Sequence, residues 1–326
     1  MRAVVCSELG PVEGLTVSDL ADPVPGPTEI VIEVDTAGFN FPDLLIVQGR
    51  YQFRAQPPFA PGGEGAGTVV GVGAEVTDFA IGDRVAAFGP FGAFAQRWVV
   101  DQQVAVPLPD EIPFAMAAAS TMTYGTSYHA LVDRANLAEG ETVLVLGAAG
   151  GVGSAAIDIA KALGAIVVAA ASTPEKRAFC SDLGADHVID YTSGNLKDLV
   201  RGVVPDVDVI YDPVGGDMSE AAFRTMAWNG RHLVIGFTAG TIPALPLNLT
   251  LLKGAAVLGV FWGSFAMREP SRNRANAARV NQMIIDGSLD PRVMETVTFD
   301  DFARGLELIG SRTVMGKVLL DVAQGS

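Results

Sequence analysis

The chain has 326 residues, 49% of them hydrophobic and 18% charged, with 37 glycines and a formal net charge of −15. That length exceeds one ordinary core and suits two well-buried domains. So acidic a chain is repelled by nucleic acid phosphates and anionic lipid heads, so neither is expected as a partner. Cys6 and Cys180, far apart and in apolar company, read as reduced buried thiols of a cytoplasmic protein. The opening "MRAVVCSELG" has no long apolar run of a signal peptide, and "AAVLGVF" is too short to span a bilayer.

From Met1 to about Met122 short alternating runs are broken by Gly and Pro: "RAVVCS", "EIVIEVDTAG", "AGTVVGVG", "DRVAAF" and "QRWVV". Two-residue alternation with frequent turn signals predicts a strongly bent β domain. Within it, "AGFNFPDLLIVQGRYQFRAQPPFAPGGEGAG" (Ala37–Gly67) has the build of an active-site entrance, yet contains neither Cys nor His. From about Thr123 strands alternate with helices: "TVLVLG", "VGSAAIDIAKALGA", "IVVAAA", "PEKRAFCSDLGA", "HVIDY", "VDVIYD", "HLVIGF" and "AVLGVF". That alternation predicts βαβ units and a doubly wound parallel sheet. A polar helix, "SRNRANAARVNQMIIDGSL", the short run "VTF", another helix and a strand "GKVLLDV" close the chain. The expected division is a discontinuous β domain, 1–123 and 264–326, with a nucleotide domain, 124–263, inserted into it.

The turn Gly147-Ala148-Ala149-Gly150-Gly151-Val152-Gly153 follows an apolar strand and opens a helix. A diphosphate needs backbone N–H groups, no obstructing side chain and a helix N-terminus behind it. Gly150 and Gly151 allow close approach, Val152 continues the turn, and Gly153 allows tight helix packing. Ala148 replaces the usual first Gly, which a non-positive φ would tolerate. The second strand ends in Ala170, Ala171, Ser172 and Thr173, with no carboxylate to repel a 2′-phosphate; Ser172 and Lys176 suit one, and Tyr191 suits the adenine edge. The expected cofactor is NADPH. Thr173-Pro174 also makes a good N-cap and N1 pair for a simple solvated helix start.

A β domain interrupted by "GAAGGVG", with "NFPDLLIVQGRY" early and "GKVLL" late, resembles the zinc-independent quinone oxidoreductases of the medium-chain dehydrogenase/reductase superfamily. The resemblance spans essentially the whole chain. It implies an α/β protein with a GroES-like β-barrel catalytic domain, a Rossmann cofactor domain, NADPH in the cleft between them and a homodimer. It also implies that Asn40, Asp43, Tyr51 and Thr126 belong to the catalytic site, and that Ser172, Lys176, Tyr191 and Arg312 hold the adenosine phosphate. By the same likeness, Val214 of "DPVGG", Gly236 and Phe237 of "VIGF", and Phe261, Trp262 and Gly263 of "FWG" line the nicotinamide, and Lys317 of "GKVLL" joins the cofactor residues.

The superfamily's zinc alcohol dehydrogenases place a Cys just after the strand ending in "AG" and a His in a "GHE" turn. Here those positions hold Asn40 with its phenylalanine neighbours and Gly63, leaving Glu64 alone, whereas a catalytic zinc needs three protein ligands. His129, His187 and His232 are expected on helix faces or strand edges, and no metal is expected. Without a Lewis acid, a conjugated acceptor that spreads charge over its own π system is an easier substrate than an alcohol. The expected reaction is hydride transfer from NADPH to quinones or other α,β-unsaturated carbonyls, with Tyr51 and the Asn40 amide as donors to the oxyanion and Asp43 orienting their loop. Two alternatives stay open: an enoyl-thioester or alkenal reductase of the same fold, with Arg50, Arg54, Arg268 and Arg272 for coenzyme phosphates, and a nucleotide-binding sensor or structural protein without turnover.

Overall fold

The computed structural model describes residues 1–325. The chain divides into two compact units. One comprises Met1–Met122, Ala266–Asp286 and the segment from Pro291 onward; the other comprises Thr123–Phe265 and Gly287–Asp290.

In the second unit six parallel strands lie side by side in the order His187–Asp190, Ile166–Ala171, Thr142–Val145, Val207–Asp212, Met226–Val234 and Ala256–Gly259. Numbered along this unit, the order is 3-2-1-4-5-6, that of a doubly wound dinucleotide sheet. Val143, Leu144, Val145, Val167, Val168, Ala169 and Ala170 are fully buried, as expected for strands covered on both faces. The helix Gly151–Ala162 turns Ala155, Ala156, Ile157, Ile159 and Ala160 onto the sheet. Strand order reverses between Thr142–Val145 and Val207–Asp212, so the loops after these two strands flank the switch point where such sheets bind ligands.

The run "AVLGVF" is shorter as a strand than its composition predicts. Pairing continues only through Val260 N–H to Val234 O (3.0 Å), and a helix, Trp262–Arg268, begins at once. The following polar helix occupies Pro270–Ile285: Pro270 fits its first turn, and Gly287, at φ +76°, carries the chain away from it.

The first unit is built on the long strand Glu29–Gly38, which pairs antiparallel with Glu64–Val72, Arg97–Asp101 and Lys317–Asp321. Arg84–Phe88 and Ala105–Pro107 extend the sheet on one side, and Val293–Thr298 on the other. Its core gathers Phe39, Phe94, Ile30, Ile32, Val318 and Leu320, with the Phe39 and Phe94 rings 4.6 Å apart. Register determines what meets at one end of this sheet. Gly38 lies opposite Leu319 and Ala37 opposite Gly65, so Lys317 and Glu64 flank the chain as it leaves residue 38. No helix among the described residues is long and apolar enough to cross a membrane.

Candidate active site

Beyond Gly38 the chain turns into the helix Phe41–Val47, with Asn40 at its N-cap and Pro42 in its first turn. Asp43 lies in that turn, where a carboxylate serves the helix start: its Oδ2 accepts from the Asn40 N–H (2.8 Å) and its Oδ1 from the Gly63 N–H (3.1 Å). Glu64 is fully buried. Its Oε2 accepts from the Lys317 ammonium (2.7 Å) and the Asn40 amide (2.8 Å), and its Oε1 from the Met122 N–H (2.5 Å). Lys317 Nζ also donates to Asn40 Oδ1 (2.9 Å) and Phe39 O (3.0 Å).

Two consequences follow from donor counting. An ammonium has three N–H groups, and Lys317 spends all three inside the chain, on Glu64, Asn40 and Phe39 O. Because lysine can only donate, Asn40 must turn Oδ1 toward it, and the Asn40 Nδ2 hydrogens then go to Glu64 and to Gly38 O (3.2 Å). The donor role expected of the Asn40 amide is therefore filled within the protein. The Tyr51 hydroxyl differs, because it has no hydrogen-bond partner among the described residues. Burial, reinforced by the nearby Asp43 charge, pushes its pKa above the usual phenol range, which keeps the proton available for donation. Phe53 meets the Tyr51 ring edge-on at 5.3 Å, and Phe59 packs on Phe91 at 5.1 Å, giving this loop an aromatic, apolar character.

Burial raises Asp43 to about 7; the Asn40 N–H, the Lys317 ammonium and the Gly63 N–H oppose the shift, and Glu64 adds to it. An unfolded Asp titrates near 3.8. Between those values the folded state binds the additional proton, so this contribution to stability is complete below about pH 4 and is lost as pH rises through 7. Asp43→Asn, which cannot titrate, is expected to melt below the wild type at pH 5 and to close part of that gap by pH 8. Calorimetry at the two pH values checks this; a gap that is constant or wider at pH 8 would contradict it.

In the second unit the nucleotide turn has the expected form. Gly147 takes φ +57°, whereas Ala148 is fully buried and not among the positive-φ residues, so the missing first glycine costs nothing. A Cβ on Gly153 would lie 2.4 Å from Gly147 O, so only glycine fits where the helix crosses the turn. No side chain caps the start of this helix at Gly150–Gly151. At the end of the second strand Thr173 caps the next helix by accepting from the Lys176 N–H (3.3 Å). Arg177 is committed to Asp190 (2.7 Å) and Ser172 O (3.1 Å). Ser172, Lys176 and Tyr191 are half-buried, and burial lowers the Lys176 pKa, a cost that a neighbouring anion would offset. Arg312 is exposed in the first unit, with φ +58° at the C-terminus of the helix Phe302–Ser311.

The strand-end loops converge. Gly147 lies against Val214, whose Cγ2 would be 3.0 Å from an added Cβ; the Ala239 N–H reaches Val214 O (2.9 Å), and the Gly236 N–H reaches Asp212 O (3.3 Å). Phe237 and Phe261 are partly exposed, Trp262 is buried, and the Trp262 indole covers Gly125 so closely that a Cβ there would meet it at 2.8 Å. Thr126 is half-buried, and its neighbour Ser127 donates to Val152 O (3.0 Å), fixing Thr126 beside the nucleotide turn. Sequence reasoning missed Ser127, since nothing in a lone serine of an apolar helix marks a contact made 25 residues away. It also misjudged His232, which is buried in the sheet and bonded to Asp212. His129 pairs with Asp133 (2.7 Å) and stacks on Phe265.

Comparison with known proteins agrees with this geometry. Residues 26–110 match the model of the alcohol dehydrogenase GroES-like domain, and residues 151–278 match the model described as zinc-binding dehydrogenase. The chain is 35% identical to quinone oxidoreductase-like protein 2 homolog of Nematostella vectensis over 99% of its own length and 89% of that protein. It is also 35% identical to a quinone oxidoreductase of Pseudomonas aeruginosa, over 94% and 96%. The crystal structure of Escherichia coli quinone oxidoreductase complexed with NADPH superposes with a TM-score of 0.90 at 27% identity, covering 98% of this chain and 100% of that one. A GroES-like sheet domain, a parallel dinucleotide sheet and relatives of this identity and coverage place the chain in the quinone oxidoreductase branch of the medium-chain dehydrogenase/reductase superfamily.

Proposed function

We propose that this chain is an NADPH-dependent oxidoreductase that reduces quinones or related α,β-unsaturated carbonyls without zinc. The observation that carries the reading is the pairing of Glu64 with Lys317 at 2.7 Å. Of the positions that hold zinc in the superfamily's alcohol dehydrogenases, only Glu64 retains a ligating side chain, and an ammonium already occupies its carboxylate. A divalent cation would have to displace that ammonium and find two further ligands where Asn40 and Gly63 stand.

The residues of the second unit fit NADPH. The N–H groups of Gly151, Val152 and Gly153 suit a diphosphate that Gly150 lets come close, and Ser172 with half-buried Lys176 suits a 2′-phosphate, with Tyr191 alongside. Thr126, Val214, Gly236, Phe237, Phe261, Trp262 and Gly263 would surround the nicotinamide. NADPH, when bound, supplies the hydride. On the acceptor side, the Tyr51 O–H donates to the oxygen on which charge develops, the aromatic loop excludes water, and Asn40 and Asp43 hold the loop in place.

We also propose a cytoplasmic homodimer. Free, buried Cys6 and Cys180 suit a reducing compartment. The outer edge of strand Ala256–Gly259 is unpaired among the described residues, residues 254–261 carry no charge, and Trp228, Leu251 and Val257 nearby are 71%, 80% and 42% exposed. In so acidic a chain, an uncharged strand edge is the surface that tolerates a second copy. Light scattering is expected to give twice the chain mass for the wild type and a single chain for Val257→Asp; a monomeric wild type would contradict the dimer.

Purified protein with NADPH and a chelator is expected to reduce quinones or alkenals. Loss of activity to the chelator, or activity only with NAD⁺ and an alcohol, would contradict the reading. Tyr51→Phe is expected to lower kcat by roughly 100-fold. Lys176→Ala is expected to raise the KM for NADPH by about tenfold while leaving that for NADH nearly unchanged. Equal effects on the two nucleotides would remove the 2′-phosphate assignment.

A further inference from the structure

Behind the switch-point loops lies a polar array that the reaction above does not use. Asp212 ends its strand with the side chain buried at 3% exposure, and four donors converge on it. Oδ1 accepts from the Val214 and Gly215 N–H groups, both at 2.9 Å; Oδ2 accepts from Ser219 Oγ at 2.5 Å and meets His232 Nε2 at 3.1 Å. Ser219 and His232 are themselves 0% and 1% exposed. Burial pushes this carboxyl up, but hydrogen bonds from His232, Gly215 and Ser219, with attraction to the His232 ring when it is charged, hold it below its usual range, and no lysine or arginine touches it.

His232 brings a further cost. Its Nδ1 is buried with no hydrogen-bond partner. The tautomer protonated on Nε2 donates to Asp212 and leaves Nδ1 a bare lone pair, which is less costly than a buried N–H without an acceptor. If stability alone governed these positions, apolar side chains would serve as well or better, because buried ionic arrays rarely exceed well-packed hydrocarbon in stability. What the array provides is a fixed shape. The turn it grips takes φ +74° and +61° at Gly215 and Gly216, a conformation that local propensity does not hold in place. That turn connects its neighbours: Val214 packs on Gly147 of the nucleotide turn, Pro213 O and Val214 O accept from the Thr238 and Ala239 N–H groups, and the Gly216 N–H donates to Thr241 O (3.0 Å).

We infer that Ser219, Asp212 and His232 are positioning residues: they lock the Pro213–Gly216 turn and, through it, set the spacing of the two loops that receive the nicotinamide half of the nucleotide. The inference rests on the nucleotide reading above. It concerns residues that touch neither cofactor nor acceptor.

Glutamine can place an amide N–H near the position of His232 Nε2, whereas leucine cannot. His232→Leu is expected to weaken NADPH binding, followed by nucleotide fluorescence, by about tenfold, with kcat reduced as well; His232→Gln is expected to stay within about threefold of wild type. His232→Leu is expected to melt below the wild type, because Asp212 stays buried with one donor fewer. The split between the Leu and Gln variants in affinity and kcat, and not the melting temperature, is the readout that a purely structural role would leave unmoved. Wild-type affinity and kcat in His232→Leu, or equal losses in the Leu and Gln variants, would overturn the inference. If His232→Leu does not fold, Ser219→Ala carries the test: about a threefold loss of NADPH affinity supports the inference, and unchanged affinity overturns it. A wild-type chain that takes up no NADPH would overturn the nucleotide reading and this inference with it. Normal wild-type binding alongside an unaffected variant would overturn this inference alone.

Discussion

The Lys317 ammonium is the constraint on which the acceptor side of this protein depends. It is buried at 4% exposure and bonded to a carboxylate, a side-chain amide and a backbone carbonyl. Stranding the Glu64 charge by removing its partner would cost on the order of 3–5 kcal/mol, so the pair stands or falls together. Because lysine only donates, it also decides the orientation of Asn40, and that orientation commits the amide hydrogens to Glu64 and Gly38. The polar residues that look catalytic in sequence are thereby tied to one another, and the Tyr51 hydroxyl remains as the group with capacity to spare. An internal cation thus occupies the carboxylate that elsewhere in the superfamily stands beside a metal, and this pairing supports the proposed metal-free reduction of a conjugated acceptor.

The nucleotide side follows the same logic with the sign reversed. There a buried carboxylate, Asp212, gathers backbone N–H groups from the turn that follows its strand and ties them to Ser219 and His232. In both units an ion held away from water fixes loops whose glycines leave them without strong preferences of their own. The sheets bring these ions to the strand ends. Register places Glu64 and Lys317 on either side of Gly38, and the 3-2-1-4-5-6 order puts Asp212 at the switch point.

Local signals made much of this legible in the sequence. Continuous apolar runs separated by helical periods identified the parallel sheet, because strands covered on both faces carry no alternation. The glycine turn was readable because steric demand at Gly153 leaves no other residue. The absence of a carboxylate near Ser172 and Lys176 is likewise a local signal, and the proposed 2′-phosphate contact rests on it. What escaped was long-range pairing of polar residues. Lys317 and Glu64 are 253 positions apart, and nothing local to either marks their pairing. His232 sits in a strand whose apolar neighbours gave no sign that it faces Asp212. The extent of the last strand of the parallel sheet was overestimated because "AVLGVF" is equally apolar in the strand and in the approach to the helix at Trp262.

The central claim is that a lysine, and no metal, complements Glu64. Calorimetric titration of zinc into the purified protein, followed by dialysis and elemental analysis, tests it most directly. The account predicts no saturable heat and a metal content far below one atom per chain. A stoichiometric zinc retained through dialysis and lost in Glu64→Gln would contradict it.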